Sequence, residues 1–464
     1  MFQTEIRRTA LILTLCLLLP VVILADRTDD YVSAIMAEHH VPGVAVAVID
    51  HGELVKIKGY GLASLEFNVP VMPDSVFEIG SVSKQMTAAA IMLLAEDGKL
   101  NVDDKISKYL SNTPEAWKDV TVRHLLTHSS GVKSYTSLDG FDLIKRQKVD
   151  DFIKKLSPYP LEFTPGERNI YSNSGFTLLG YIIEAVSGKK YMDFMRERIF
   201  VPLGMTKTAD RDPQFIIPNR VTGYEWTGER YTGRSWDLTD LMGAGTIVAP
   251  MTDMVKWDLA LRDNKFLKPE SRKMLWTQFT FNNGQASPYG FGWRISDVRG
   301  HKLIGHTGQT AGFAAANFRY VDDDVAVIVL TNSGESDLGG EIATGVAKLF
   351  VPALSINAMK PIVVEAAITD LVKKGFAERV ANKVADDVFT PEMVRSQATD
   401  RARQGNEKIG AAGAIRDIDP VGVEGDSNRK IYLYRIKTAK GMSLWRVGIS
   451  ETGKISLMTI QERE

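Results

Sequence analysis

The chain has 464 residues, 44% hydrophobic and 24% charged, an ordinary composition for a soluble globular protein with more than one core. A formal net charge of −1 leaves no basic field for nucleic acid and no polybasic stripe for a membrane surface. The single cysteine, Cys16, lies in the N-terminal segment read next, so a chain without that segment holds no disulfide and no thiolate nucleophile.

Arg7-Arg8 precede an apolar run over residues 10–24, followed by Ala25 and then Asp26-Arg27. A basic start, a short apolar stretch and a small residue at the cut describe a secretory signal peptide, residues 1–25. The run is about 15 residues, short of the ~20 that span a bilayer. Cys16 follows Leu15 instead of a small residue, which argues against a lipoprotein cut. The mature protein is therefore expected to be secreted or periplasmic, with a retained membrane anchor as the alternative.

Residues 44–49 and 54–60 flank Asp50-His-Gly-Glu53 and predict a β-hairpin. Ser75-Val-Phe-Glu-Ile-Gly80 reads as a short extended segment ending in a glycine. Beyond it Val82, Met86, Ala89, Ala90, Leu93 and Leu94 recur at helical spacing until Asp97-Gly98 stops the helix. Helical patterns and long polar loops fill residues 80–275, including a helix from about Gly175 to Ser187 closed by Gly188. Strand signals return at 289–295, 302–306, 311–320 and 325–331. β-rich ends around a largely helical middle predict an α+β fold: one antiparallel sheet built from both ends, flanked by helices, with an inserted helical subdomain. This first domain is read as residues 26–355. From about Ile356 a second, small α+β domain follows, residues 356–464, with helices at 363–380 and 391–403 and strands at 415–421, 430–437, 443–450 and 454–460. Its helices-then-sheet order resembles cone-shaped modules of the nuclear-transport-factor type, at the level of fold only.

Three short words carry the chemistry: Ser81-Val-Ser-Lys84, Tyr171-Ser-Asn173 and His306-Thr-Gly308. A serine with a lysine one helical turn later is a nucleophile beside its own base. Ser-x-x-Lys also occurs at Ser130, Ser187 and Ser427, but only Ser81 opens a helix, where free N–H groups and the positive dipole end favour developing negative charge. Lys84 then falls on the same helix face. Tyr-x-Asn and His-x-Gly each occur once, the first just before the helix from Gly175 and the second on a strand. Alone, Ser81 is an N-cap, Tyr171 a packing residue and His306 a structural hydrogen-bonder. In this order they describe a serine acyl-transfer site.

The chain resembles the serine β-lactamase and penicillin-binding-protein superfamily, on the class C side, where the second word is Tyr-x-Asn. The likeness covers roughly residues 30–350 and includes Leu125-Leu-Thr-His-Ser-Ser-Gly131, Thr164-Pro-Gly-Glu167, and Gly243-Ala-Gly245 followed by Met251-Thr-Asp-Met-Val-Lys-Trp257. The resemblance implies Ser81, Lys84 and Tyr171 as catalytic residues, with Tyr171 kept acidic by nearby cations and relaying a proton to the leaving group. It leaves the division of the base role between Lys84 and Tyr171 open. Asn173 is expected to bond Lys84 or the substrate amide, and His306, Thr307, Gly308 and Gln309 to hold substrate. The backbone N–H groups of Ser81 and Gln309 would form an oxyanion hole, and Gly308 would keep the strand edge clear.

One position departs from the class C pattern: His306 stands where lysine is usual. A histidine of ordinary pKa is mostly neutral at neutral pH, so a permanent carboxylate anchor is weakened. The expected substrate is accordingly an ester, an amide or a D-amino-acid peptide, with weak β-lactam turnover. The alternatives are a true class C-like β-lactamase and a non-catalytic, penicillin-sensor-like binder. No cofactor, metal or nucleic-acid partner is expected, and oligomeric state is not readable from the sequence.

Overall fold

The computed structural model describes residues 19–139, 147–212, 215–233, 241–397, 415–426 and 429–464, with positions 399, 406, 407 and 410, and their side chains from residue 27 onward except at 426 and 429. The chain divides after Val351 into two compact units.

In the first unit, helix α1 (Leu19–Glu38) leads into β1 (Gly43–Asp50), β2 (Glu53–Ser64), β3 (Val69–Pro70) and β4 (Val76–Glu78). A 3₁₀ turn, Gly80–Val82, runs directly into α2 (Ser83–Glu96). The inserted portion carries α3 (Val122–Leu126), α4 (Val149–Leu156), α5 (Asn173–Ser187), α6 (Tyr191–Met195), the short strands β5 (Ala209–Asp210), β6 (Tyr224–Trp226), β7 (Tyr231–Gly233) and β8 (Ile247–Pro250), then α7 (Met251–Arg262) and α8 (Pro269–Leu275). The chain returns through β9 (Arg294–Val298), β10 (His301–Thr310), β11 (Phe313–Tyr320) and β12 (Val325–Thr331) to α9 (Leu338–Phe350).

These strands make a seven-stranded sheet in the order β3-β2-β1-β12-β11-β10-β9. The N-terminal hairpin joins the C-terminal strands where β1 pairs antiparallel with β12, Val46 opposite Val329. Val44 through Ile49 are fully buried on both sides of β1, because α7 packs on β1 and β12 while α9 covers β11 and β12 from the other face. A side chain of this size contributes about 1.5–3 kcal/mol when fully buried, so this alternation-free apolar run ties the two ends of the unit together. The predicted hairpin, the α2 helix and the α5 helix with left-handed Gly188 at its end all form.

Several boundaries differ from expectation. The strand read from Tyr289 begins at Arg294, because Gly290-Phe-Gly-Trp293 turns instead, with Gly292 at φ 76°. A Cβ on Gly292 would stand 2.6 Å from the Lys84 carbonyl, so the turn is where the chain passes against α2. In the second unit, α10 (Ala366–Val380) starts three residues later than read, and α11 (Pro391–Gln397) ends at Gln397, the remainder of that reading lying largely outside the described residues. Strands β13 (Ile415–Asp426), β14 (Arg429–Thr438), β15 (Gly441–Ile449) and β16 (Ile455–Arg463) form an antiparallel sheet. It is packed around Phe376, Tyr434 and Trp445, with the Phe376 and Trp445 rings edge to face at 4.7 Å. Among the described residues no helix is long and apolar enough to cross a membrane. Of the apolar N-terminal run, residues 10–18 lie outside the described residues.

Candidate active site

Ser81 owes its place to a sharp change of direction. Gly80 adopts φ 50°, which turns the end of β4 into the 3₁₀ turn and presents Ser81 ahead of α2. Strand β10 lies directly on this turn. A Cβ on Gly308 would sit 2.0 Å from the Ile79 carbonyl oxygen, and one on Gly80 would sit 2.7 Å from the Gln309 nitrogen. Gly308 is thus required for backbone contact with the Ser81 turn, a tighter demand than an open strand edge. The same contact brings the Ser81 and Gln309 backbone nitrogens to one place. Among the described residues, β10 has no strand partner on its β9 side beyond Gly305, since β9 pairs with residues 301–305.

Lys84 is fully buried. Its Nζ lies 2.9 Å from Ser81 Oγ, 2.8 Å from Asn173 Oδ1 and 2.6 Å from the Ala244 carbonyl oxygen. Burial holds its pKa well below the ordinary lysine value, and no carboxylate pairs with it among the described residues. A neutral amine has two N–H groups and one lone pair. The Asn173 and Ala244 oxygens can only accept, so they take both N–H groups, and the lone pair is left facing the Ser81 hydroxyl. That is the geometry of a general base.

Tyr171 lies under Lys84, whose Nζ stands 4.8 Å from the ring centroid. Its hydroxyl oxygen is buried and makes no hydrogen bond of normal geometry among the described residues. Burial raises the phenol's pKa above its ordinary value; Ser81 and the charge of Arg294 act against this without outweighing it. The expectation of an acidified tyrosine is therefore reversed: desolvation outweighs both the Ser81 hydroxyl and the nearby positive charge.

His306 is buried and held on both ring nitrogens. Nδ1 lies 2.5 Å from the Thr307 carbonyl oxygen, an obligate acceptor, so Nδ1 carries the proton and Nε2 accepts from the Tyr289 hydroxyl at 2.6 Å. Burial, then Lys84, push its pKa down to about 3, with Arg294 acting in the same direction. A histidine in this setting is neutral throughout the physiological range, so the weakening of a carboxylate anchor expected from its ordinary pKa goes further: it carries no charge there. It remains a wall of the site and a support for β10.

The cation comes instead from Arg294, which sequence reading passed over. It lies on β9 opposite Gly305, exposed, and faces the same cleft as Ser81, Tyr171 and Thr307. Its signal was an arginine at the start of the strand that pairs with the His306 strand, visible only once the β9–β10 register is known. The decoy serines are explained: Ser130 Oγ accepts the Val132 N–H, Ser187 Oγ donates to the Ile183 carbonyl, and Ser427 lies outside the described residues. Ser81 stands between two openings, one of about 470 Å³ on the Tyr171 and Arg294 side, the other of about 970 Å³ on the Asn173 and Gln309 side.

A family model described as Beta-lactamase matches residues 28–349. The chain belongs to the beta-lactamase family. Among its relatives, this beta-lactamase-family protein is 31% identical over 323 residues to penicillin-binding protein 4* of Bacillus subtilis, covering 65% of this chain and 70% of the relative. It is 28% identical over 340 residues to a D-aminopeptidase of Brucella canis, 72% of this chain but only 64% of the relative's length. Among solved structures, a D-amino acid amidase from Ochrobactrum anthropi superposes with a TM-score of 0.61 at 26% identity, over 71% of this chain and all of that one. An octameric penicillin-binding protein homologue from Pyrococcus abyssi shares the fold at 23% identity and TM-score 0.63, over 93% of this chain and 94% of its own. The protein is a serine hydrolase of this family, on an α+β scaffold with antiparallel sheets.

Proposed function

We propose that this protein hydrolyses amide or ester bonds of D-amino-acid-type substrates through an acyl-enzyme on Ser81. The observation that carries the reading is the Lys84 amine, desolvated, fixed by two acceptors, and 2.9 Å from Ser81 Oγ. Lys84 takes the Ser81 proton as Oγ attacks the carbonyl carbon. The N–H groups of Ser81 and Gln309 receive the developing oxyanion, donors typically worth about 2.7–4 kcal/mol each. Tyr171, whose raised pKa keeps it a proton donor, passes a proton to the leaving nitrogen or oxygen as the carbonyl bond breaks. In the second half the transfers reverse: the Tyr171 phenolate takes a proton from the water that attacks the acyl carbon, and the Lys84 ammonium returns its proton to Ser81 Oγ as the acyl bond breaks, which restores both groups.

Since Tyr171 delivers the proton, the leaving group occupies the opening on its side and the acyl group the opening beside Asn173. Arg294 is proposed to hold a carboxylate on the leaving residue by a charge-assisted, bidentate bond. β-Lactams are proposed to acylate Ser81 and to turn over slowly. The relatives named as D-aminopeptidase and D-amino acid amidase support the choice of bond.

The mature protein is also proposed to start near Asp26 outside the cytoplasm. In support, Thr28 is buried and Asp29 pairs with Lys58 at 2.5 Å, so these packed positions of α1 all lie beyond a cut after Ala25.

The deciding test labels wild type and Ser81→Ala with a fluorophosphonate and a fluorescent penicillin, alongside turnover of a p-nitrophenyl ester and a D-alanyl amide. Labelling and turnover that both vanish in Ser81→Ala support the proposal. Labelling without any turnover would replace the enzyme with a sensor, and full activity in Ser81→Ala would mean another nucleophile.

A further inference from the structure

The leaving-group cleft holds a second charge that the acyl-transfer chemistry does not use. Asp337, immediately before α9, lines the same space as Ser81, Tyr171 and Arg294. It is exposed, and neither it nor Arg294 makes a hydrogen bond or ion pair through its side chain, with each other or with any other described residue.

An aspartate at a helix N-cap normally accepts a backbone N–H from the first turn, worth about 1 kcal/mol. Asp337 occupies the N-cap of α9, yet its side chain makes no capping bond. Its backbone sits at φ 63°, in the left-handed region that glycine adopts without strain. An aspartate held in a glycine-favoured conformation, without its usual structural task, points to a role for the carboxylate itself. The first turn of α9 is also placed firmly: a Cβ on Gly339 would meet the Ala315 carbonyl carbon at 2.7 Å, and one on Gly340 the Thr307 Cγ2 at 3.2 Å. The helix start is thus packed against β10 and β11, and Asp337 is carried at the rim of the cleft on a rigid element.

A leaving residue bearing only a carboxylate gains from Arg294 and is repelled by Asp337. One bearing a carboxylate and an ammonium satisfies both. Resting on the acyl-transfer reading above, we propose that this cleft selects a leaving amino acid with a basic side chain. Arg294 holds its carboxylate and Asp337 its side-chain ammonium. Cleavage breaks the amide C–N bond, the acyl carbon passes to Ser81 Oγ, and the freed α-nitrogen takes its proton from Tyr171.

The experiment measures kcat/KM for N-acetyl-D-alanyl-D-lysine and N-acetyl-D-alanyl-D-alanine, each also with an L leaving residue, and for a p-nitrophenyl ester. The quantity read is the lysine-to-alanine ratio within each protein, so a partly unfolded variant does not distort it. Wild type is expected to favour lysine about tenfold, the order of one charge-assisted bond near solvent. Asp337→Asn should bring the ratio close to one. Asp337→Lys should take it below one and raise turnover of a D-glutamate leaving group. A wild-type ratio at or below one, or a ratio that Asp337→Asn and Asp337→Lys leave unchanged, overturns the inference. Ester turnover with no cleavage of any dipeptide also overturns it while leaving Ser81 catalysis standing. Neither ester turnover nor Ser81 labelling in wild type would remove the acyl-transfer reading and this inference with it.

Discussion

Replacing His306 by glutamine removes a buried imidazole whose folded pKa lies about 3 against an ordinary value of 6.5. At neutral pH the cost is one hydrogen bond and an orphaned Tyr289 hydroxyl, about 1–3 kcal/mol. The pH dependence has a definite sign. Unfolded wild type takes up a proton at this residue as pH falls below 6.5, while the folded form resists until about pH 3. Stability contributed by the neutral imidazole is therefore complete above pH 6.5 and is lost as pH falls toward 3. Each pH unit is worth about 1.36 kcal/mol, so two units, from 6.5 to 4.5, cost the wild type about 2.7 kcal/mol that His306→Gln does not lose. Any folded value below about 4 gives nearly the same figure, because the group is then almost unprotonated in the folded state at pH 4.5. Urea denaturation of both proteins at pH 7.5, 6.0 and 4.5 is expected to show the wild-type advantage shrinking to near zero or reversing, in the transition that the substitution shifts. An advantage constant across that range would refute the reasoning and show that His306 titrates in the folded protein much as it does unfolded.

Other consequences are as direct. Lys84→Ala and Tyr171→Phe should each lose several orders of magnitude in kcat, with the double variant losing little more, because the two serve one proton path; additive losses in steady-state kinetics would separate them. As Lys84 must be neutral to act, kcat/KM should fall on acidification through its lowered pKa, and an acid limb that persists in the residual activity of Lys84→Ala would assign it elsewhere. Gly308→Ala places a Cβ 2.0 Å from the Ile79 carbonyl oxygen; overpacking of this kind costs about 1–3 kcal/mol, and displacement of β10 from Ser81 should depress kcat more than KM, whereas normal turnover would show that β10 can move away freely. Mass spectrometry of protein from its native host should find an N-terminus near Asp26, and a fragment of residues 26–355 should fold and cleave small esters, circular dichroism and turnover being the checks; a folded but inactive fragment would make the C-terminal domain part of the site.

Local pattern carried much of this protein. The apolar run of β1, the Gly80–Ser81 helix start, the 3.6-residue periodicity of α2 and the glycine stop of α5 are short-range features, and periodicity and backbone freedom express them within one element. The spacing of Ser81 and Lys84 is likewise an i, i+3 relation along one stretch of chain, and the proposed nucleophile with its proposed base could be read from it. What the sequence did not hold was charge state. Whether Lys84 is a cation or an amine, whether Tyr171 is acidified or suppressed, and whether His306 titrates all depend on how much water and countercharge surround each group. Residues 84, 171, 244, 289 and 306 meet only when α2, α5, β10 and the intervening loops pack together. The same holds for Arg294 and Asp337, one on β9 and one before α9, which share a cleft because the sheet register and the packing of α9 bring them there. Desolvation and cross-sheet register are properties of the assembled unit, and that is why only the tertiary structure showed which cation faces the cleft beside Ser81.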